Sequence, residues 1–207
     1  GINPPNRLFV KILKSTNVNQ LYPVWDLMMK NIYSLGAYGL TQKDFFLNVL
    51  YYNDSTGADI NFLGAGATEP DVNGIPLIRV LNLDRVNSQR DPQPDGVFDY
   101  IEGLTINSND GRIIFPVVEP FGSYLRSKFN PNTNVYQKYV YQELYDSSKT
   151  AAQQIPEKNK FKIKGSYVSN ISSEISLNAI NIPQGSVKVS AGGIPLTENV
   201  DFTVDYN

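Results

Sequence analysis

The chain has 207 residues, 41% hydrophobic and 12% aromatic, with 13 Tyr against 10 Phe. That length supports one large domain, or a medium domain with a smaller module, and the aromatic balance favours β-rich structure over a helical bundle. Lysine plus arginine at 18 against aspartate plus glutamate at 20 gives a net charge of −2, which leaves no basic field for a phosphate backbone. Cysteine and histidine are absent, so disulfides, thiolate nucleophiles, Cys or His metal ligands and His-dependent triads are all excluded.

No run approaches the roughly 18 apolar residues of a spanning helix, and the start lacks the charged-then-apolar layout of a signal peptide. Gly1 and the alternating Val204-Asp205-Tyr206-Asn207 read as the two ends of an excised piece of a longer chain. The expectation is a fragment that does not itself span a membrane.

Leu8 to Leu13 reads as a first strand, ended by the polar run Ser15 to Gln20. Pro23 opens a predicted helix in which Trp25, Met28, Met29, Ile32 and Leu35 form an apolar stripe, with Gly36 as its stop; such a stripe is core packing. Asp44 to Tyr52 is a second strand and Asn53 to Asp59 a turn. Gly64 to Gly74 is loop-like, Asp71 with Asn73 and Gly74 reads as a turn, and Pro76 to Val86 fits either a strand or a short helix.

Leu104-Thr105-Ile106, the Asn109-Asp110-Gly111 turn and Arg112 to Val118 give the clearest hairpin pattern. Pro116 places its second strand at an edge or a bulge. A short helix is expected from Glu119-Pro120 to Phe129, and a longer one from Val135 to about Gln154. Ile155 to Lys160 reads as a boundary, giving a domain over 1–157 and a β-rich, sandwich-like, incomplete module over 158–207. The module's alternating pairs are Phe161 with Ile163, Ile175 with Leu177, Val187 with Val189, and Phe202 with Val204. The predicted class is α+β, with antiparallel hairpins in a mixed first domain.

One stretch has a pattern that carries chemistry. Asp91-Pro92-Gln93-Pro94-Asp95-Gly96-Val97-Phe98-Asp99-Tyr100-Ile101-Glu102 matches a calcium loop of about twelve residues at its first, fifth, sixth, ninth and twelfth positions, with the Val97 carbonyl at the seventh. Calcium takes about six to eight oxygens on a sharply turned backbone, so Asp91, Asp95, Asp99 and Glu102 around Gly96 suit it. Gln93 is neutral where an acid or Asn is usual, and Gly103 spoils the exiting helix of an EF-hand. Affinity would fall in the weak range of about 10⁻⁴ to 10⁻³ M. The alternative is a proline-stiffened acidic turn in which Asp95 accepts local backbone N–H groups while Asp99 and Glu102 face water.

Several phrases are similar to the SprA/Sov family, the outer-membrane translocon of type IX secretion. They are Trp25-Asp26-Leu27-Met28-Met29-Lys30-Asn31, Gln93 to Asp99, Gly111-Arg112-Ile113-Ile114-Phe115-Pro116-Val117 and Glu119-Pro120-Phe121-Gly122. Ile182 to Val189, Ala191-Gly192-Gly193 and Leu196 to Tyr206 resemble a phrase that family repeats. Its members are very long outer-membrane β-barrels that export folded cargo, some of them needed for gliding motility. The resemblance implies a soluble part of a translocon, on the periplasmic or cell-surface side. Its parent's partners would be a PorV-type barrel, a plug protein and secreted cargo. It supplies no catalytic residue, and the composition argues against lipid-facing strands.

Two other classes stand beside it. A glycosidase would have to draw an acid pair from Asp95, Asp99, Glu102 and Glu119. A calcium-stabilised carbohydrate-binding or adhesin module at the cell surface would use Tyr51-Tyr52 and the Tyr136 to Tyr145 stripe as aromatic platforms.

Overall fold

Pro23, placed after an extended Tyr22, starts a helix, but only a 3-10 turn over Pro23–Leu27 forms before Met28 returns to extended backbone. The computed structural model describes residues 20–168, 177, 181–191, 194–204 and 206, except for the Asp26 side chain. The expected strand at Leu8 to Leu13, and Ile175 in the later pattern, lie outside those residues.

The helix expected to run to Gly36 therefore stops early. The rest of its stripe becomes strand β1, Ile32–Ser34. The competing partner is the second hairpin strand, β5, Arg112–Ile114, which lies antiparallel to β1 with Tyr33 opposite Ile113. Asn31 fastens the end of this pairing, since its side chain donates to the Phe115 carbonyl at 2.8 Å and its own carbonyl accepts from the Phe115 N–H. A β-branched and aromatic pair on a sheet outweighs a three-and-four spacing that too few residues support.

The hairpin itself forms as expected, with β4, Ile106–Asn107, pairing β5 across the Asn109 to Gly111 turn. The sheet order is β1-β5-β4, so β5 is central rather than an edge. Pro116 is tolerated because the strand has already ended at Ile114.

A second sheet is built on β2, Phe46–Asn53, flanked by β3, Ala58–Ile60, and β6, Phe161–Ser166, both antiparallel to it. Leu47, Val49 and Tyr51 of β2 point into the core. Between the two sheets, Pro76 to Val86 resolves as a short helix, α1, Leu77–Val80, and the buried Leu81 and Leu83 follow it. The expected helix near Phe129 is α2, Ser123–Ser127.

The long helix expected from Val135 is three short ones: α3, Tyr136–Tyr139; α4, Glu143–Asp146; and α5, Lys149–Gln153. Each break has a cause. Val140 turns extended so that the Tyr141 N–H can reach the Phe121 carbonyl at 2.7 Å. Ser147 turns extended so that Ser148 can cap α5, accepting from the Ala151 N–H.

The chain divides into two compact units, 1–171 and 172–207. The alternation of Phe161 and Ile163 is that of an outer strand in the first unit, so β6 lies inside that unit although the boundary was expected ahead of it, near 157. Within the second unit, β7, Ser190–Ala191, pairs β8, Ile194–Pro195. A turn follows in which Thr197 N–H donates to the Asp201 carboxylate and Asn199 N–H to the Phe202 carbonyl. The architecture is α+β with antiparallel hairpins. Among the described residues no helix is long and apolar enough to cross a membrane.

Candidate functional site

The acidic loop is organised by a residue outside the predicted motif. Asp84, 2% exposed, accepts from the N–H groups of Asp95 at 3.0 Å and Gly96 at 3.1 Å. Gly96 adopts a φ of 85° to present its amide there. Asp99 is also buried rather than facing water, and one of its oxygens accepts from Arg85 N–H at 2.6 Å and Val86 N–H at 3.3 Å. Burial pushes its carboxyl above the usual aspartate range and the nearby Asp84 and Asp95 add to that, while the two amides pull the other way.

The remaining members of the motif point elsewhere. Asp95 accepts from the Val97 N–H two residues on, as the turn alternative expects. Asp91 accepts from the Asn87 side chain, and both Glu102 oxygens accept from Ser108 N–H at 3.1 Å. Gln93 and Val97 are exposed. Among the described residues no group of three or more acidic side chains is arranged to hold a metal ion. The sequence cue to Asp84 is faint: an acid directly after the apolar run that ends at Leu83.

A second polar cluster surrounds Glu119. Its carboxylate takes Lys30 Nζ at 2.6 Å and Gln142 Nε2 at 3.0 Å. Its carbonyl accepts from Gly122 N–H at 2.9 Å and Tyr124 N–H at 3.3 Å. Burial pushes the carboxyl up, but the hydrogen bonds from Lys30, Gln142 and Ser123 outweigh it and hold the group at about 2. The backbone at Glu119 has φ 49°, a left-handed conformation that costs a non-glycine residue about 1 kcal/mol. Gly122 makes room, since a Cβ there would come within 2.6 Å of Gln142 Oε1 and 2.7 Å of the Tyr145 ring.

Beside this cluster lies an aromatic seam joining the two sheets. Tyr33, Phe115 and Phe121 meet edge to face, Phe121 reaches Phe161 at 4.7 Å, and Phe161 reaches Tyr51 at 5.1 Å. The Tyr33 and Tyr145 hydroxyls share a hydrogen bond of 2.7 Å, and Tyr145 accepts from Phe121 N–H. Burial drives both phenols well above the usual tyrosine range. Of the tyrosines expected as platforms, Tyr51, Tyr139 and Tyr145 are core residues, while Tyr52 is exposed.

A cavity of about 250 Å³ opens on this seam. Tyr33, Phe121, Tyr141, Leu144, Phe161 and Ile163 line it, and Asn159 is the polar member. A smaller hollow continues from Tyr33 and Leu144 to Met28, Met29 and Ile32. Sequence reading missed this site because its walls come from β1, β6 and the break before α4, none of which local periodicity placed.

No protein-family model matches the chain, and no curated protein matches it. Three of the phrases that resemble SprA/Sov translocons nevertheless meet in space: Lys30 pairs with Glu119, and Asn31 with Phe115.

Proposed function

We propose that this chain is a non-enzymatic structural and interaction module of a large outer-membrane translocon of the type IX secretion kind. It would act in protein secretion and gliding motility on the periplasmic or cell-surface side. The carrying observation is that meeting of phrases: residues 25–31, 111–117 and 119–122 join through Lys30–Glu119 and through Asn31 with Phe115. A resemblance whose parts build one scaffold supports descent from that scaffold better than scattered matches do.

The carboxylates support the absence of catalysis. Asp84, Asp99, Glu69 and Glu119 are all taken up within the chain, by backbone amides, hydroxyls or Lys30. An acid held in that way is a poor proton donor or nucleophile. The test is co-purification of the full chain with a PorV-type barrel, a plug protein and exported cargo, alongside assays on glycan and peptide substrates. Retention of those components without turnover is the expected result. Turnover abolished by Asp95→Asn or Glu102→Gln would sink the proposal.

A further inference from the structure

The register of β6 decides which of its backbone groups face outward. Lys160 O accepts from Tyr52 N–H, and the same register places Lys162 opposite Leu50 and Lys164 opposite Asn48. In an antiparallel ladder hydrogen-bonded pairs alternate with non-bonded ones. The N–H and C=O groups of Lys162 and Lys164 therefore serve β2, and those of Phe161, Ile163 and Gly165 point away from it. Among the described residues β6 is an outer strand of its sheet, so these groups form an open pairing edge.

The two faces of that edge differ. On the inner face, Phe161 and Ile163 form one wall of the aromatic cavity, which lies where inward side chains of an added strand would fall. On the outer face, Lys162 and Lys164 stand side by side and share a single carboxylate, Asp59, each at 2.7 Å. Their side chains are 44% and 57% exposed. Lysines on an outer strand ordinarily deter pairing. Here they deter a second copy of the same edge, which would bring lysine against lysine, and they favour a strand with negative charge at the facing positions.

We propose that β6 is a docking edge for an extended segment of a partner protein in which acidic residues alternate with apolar ones. The apolar side chains enter the cavity bounded by Tyr33, Phe121 and Leu144. The acidic ones meet Lys162 and Lys164, and the backbone pairs with Phe161, Ile163 and Gly165. This rests on geometry alone and stands apart from the translocon reading.

The experiment is a fluorescence-anisotropy titration of the full 207-residue chain with a labelled, capped octapeptide that alternates glutamate with leucine and phenylalanine. Saturable binding is expected. It should weaken about tenfold or more when the alternate peptide amides facing β6 are N-methylated. It should weaken about tenfold when the glutamates become lysines, or when the protein carries Lys162→Glu with Lys164→Glu. No binding overturns the proposal, as does equal binding of the N-methylated or lysine peptide. Binding seen only after residues 1–19 are removed also overturns it, because the edge would then belong to the chain's own N-terminal segment. None of these outcomes alters the co-purification test above.

Discussion

Lys30 and Glu119, 89 positions apart in sequence, meet at 2.6 Å, and the carboxylate they share with Gln142 is only 12% exposed. This contact fastens the extended segment after the 3-10 turn onto the strained backbone at Glu119. Its acid behaviour follows from the depressed carboxyl. The ordinary glutamate value is 4.5 and the folded value about 2, so the stabilisation is complete above about 4.5 and disappears as pH falls from there toward 2. Thermal melts between pH 6 and 2 (chosen conditions spanning about that window) should show a loss that Lys30→Met reduces. At neutral pH Lys30→Met should cost about 2 kcal/mol, since it leaves a mostly buried carboxylate without its cation. An unchanged acid limb in the variant would remove Glu119 from that account.

Two turn glycines separate strain from collision. Gly36 and Gly111 both have positive φ, 68° and 57°, but a Cβ on Gly36 meets nothing within 4 Å whereas one on Gly111 would overlap the Ala37 carbonyl. Gly36→Ala should cost about 1 kcal/mol, the left-handed penalty alone. Gly111→Ala should cost about 3 kcal/mol or more, because the hairpin turn must shift as well. Urea denaturation of the two variants checks the ordering.

Removal of a tyrosine hydroxyl should have opposite effects at two buried sites. Tyr51 Oη is buried without a hydrogen-bond partner among the described residues, and burial pushes its phenol up to about 12. Tyr51→Phe should therefore be neutral or stabilising by up to about 1 kcal/mol. Tyr145→Phe removes the partner of both Tyr33 and the Phe121 amide, and should destabilise by about 2 kcal/mol. Thermal melts of the pair decide it.

The acidic loop yields a prediction about calcium. Asp91, Asp95 and Glu102 point to separate backbone and side-chain partners. Millimolar calcium should therefore leave the melting curve of both the wild type and Asp95→Ala unmoved. Asp84→Asn should unfold the loop at a cost of about 2 kcal/mol, because an amide nitrogen would then face one of the two N–H groups Asp84 now accepts. A calcium-dependent shift abolished by Asp95→Ala would instead make residues 91–102 an ion site.

Elements whose signals were local were legible in the sequence. Residues around Asn109 to Gly111 specify their own turn, and β2 carries enough Phe, Leu, Val and Tyr to read as a strand wherever it packs. Elements decided by distant partners were not legible. The Ile32 to Leu35 stretch keeps helical spacing yet becomes β1 because β5 offers it a pairing edge, and Tyr141 breaks a helical pattern to reach Phe121. The acidic loop was found by its carboxylates, but Asp84, the residue that folds it, lies outside any motif. Glu119 was noticed only as an acid, since its cation and its amide partner lie far along the chain.

The pairing of β2 with β6 sets an order of events for a chain made or delivered from its N-terminus. Lys162 and Asp59 are 103 positions apart, so the second sheet gains its outer strand only after nearly the whole first unit has emerged. Until then Leu47, Val49 and Tyr51 lack the strand that completes their sheet. High contact order of this kind makes folding slow and leaves an unfinished edge open meanwhile. The lysine row of β6 is thus also the last piece to arrive, and its positive charge guards the sheet against stray partners once the edge exists.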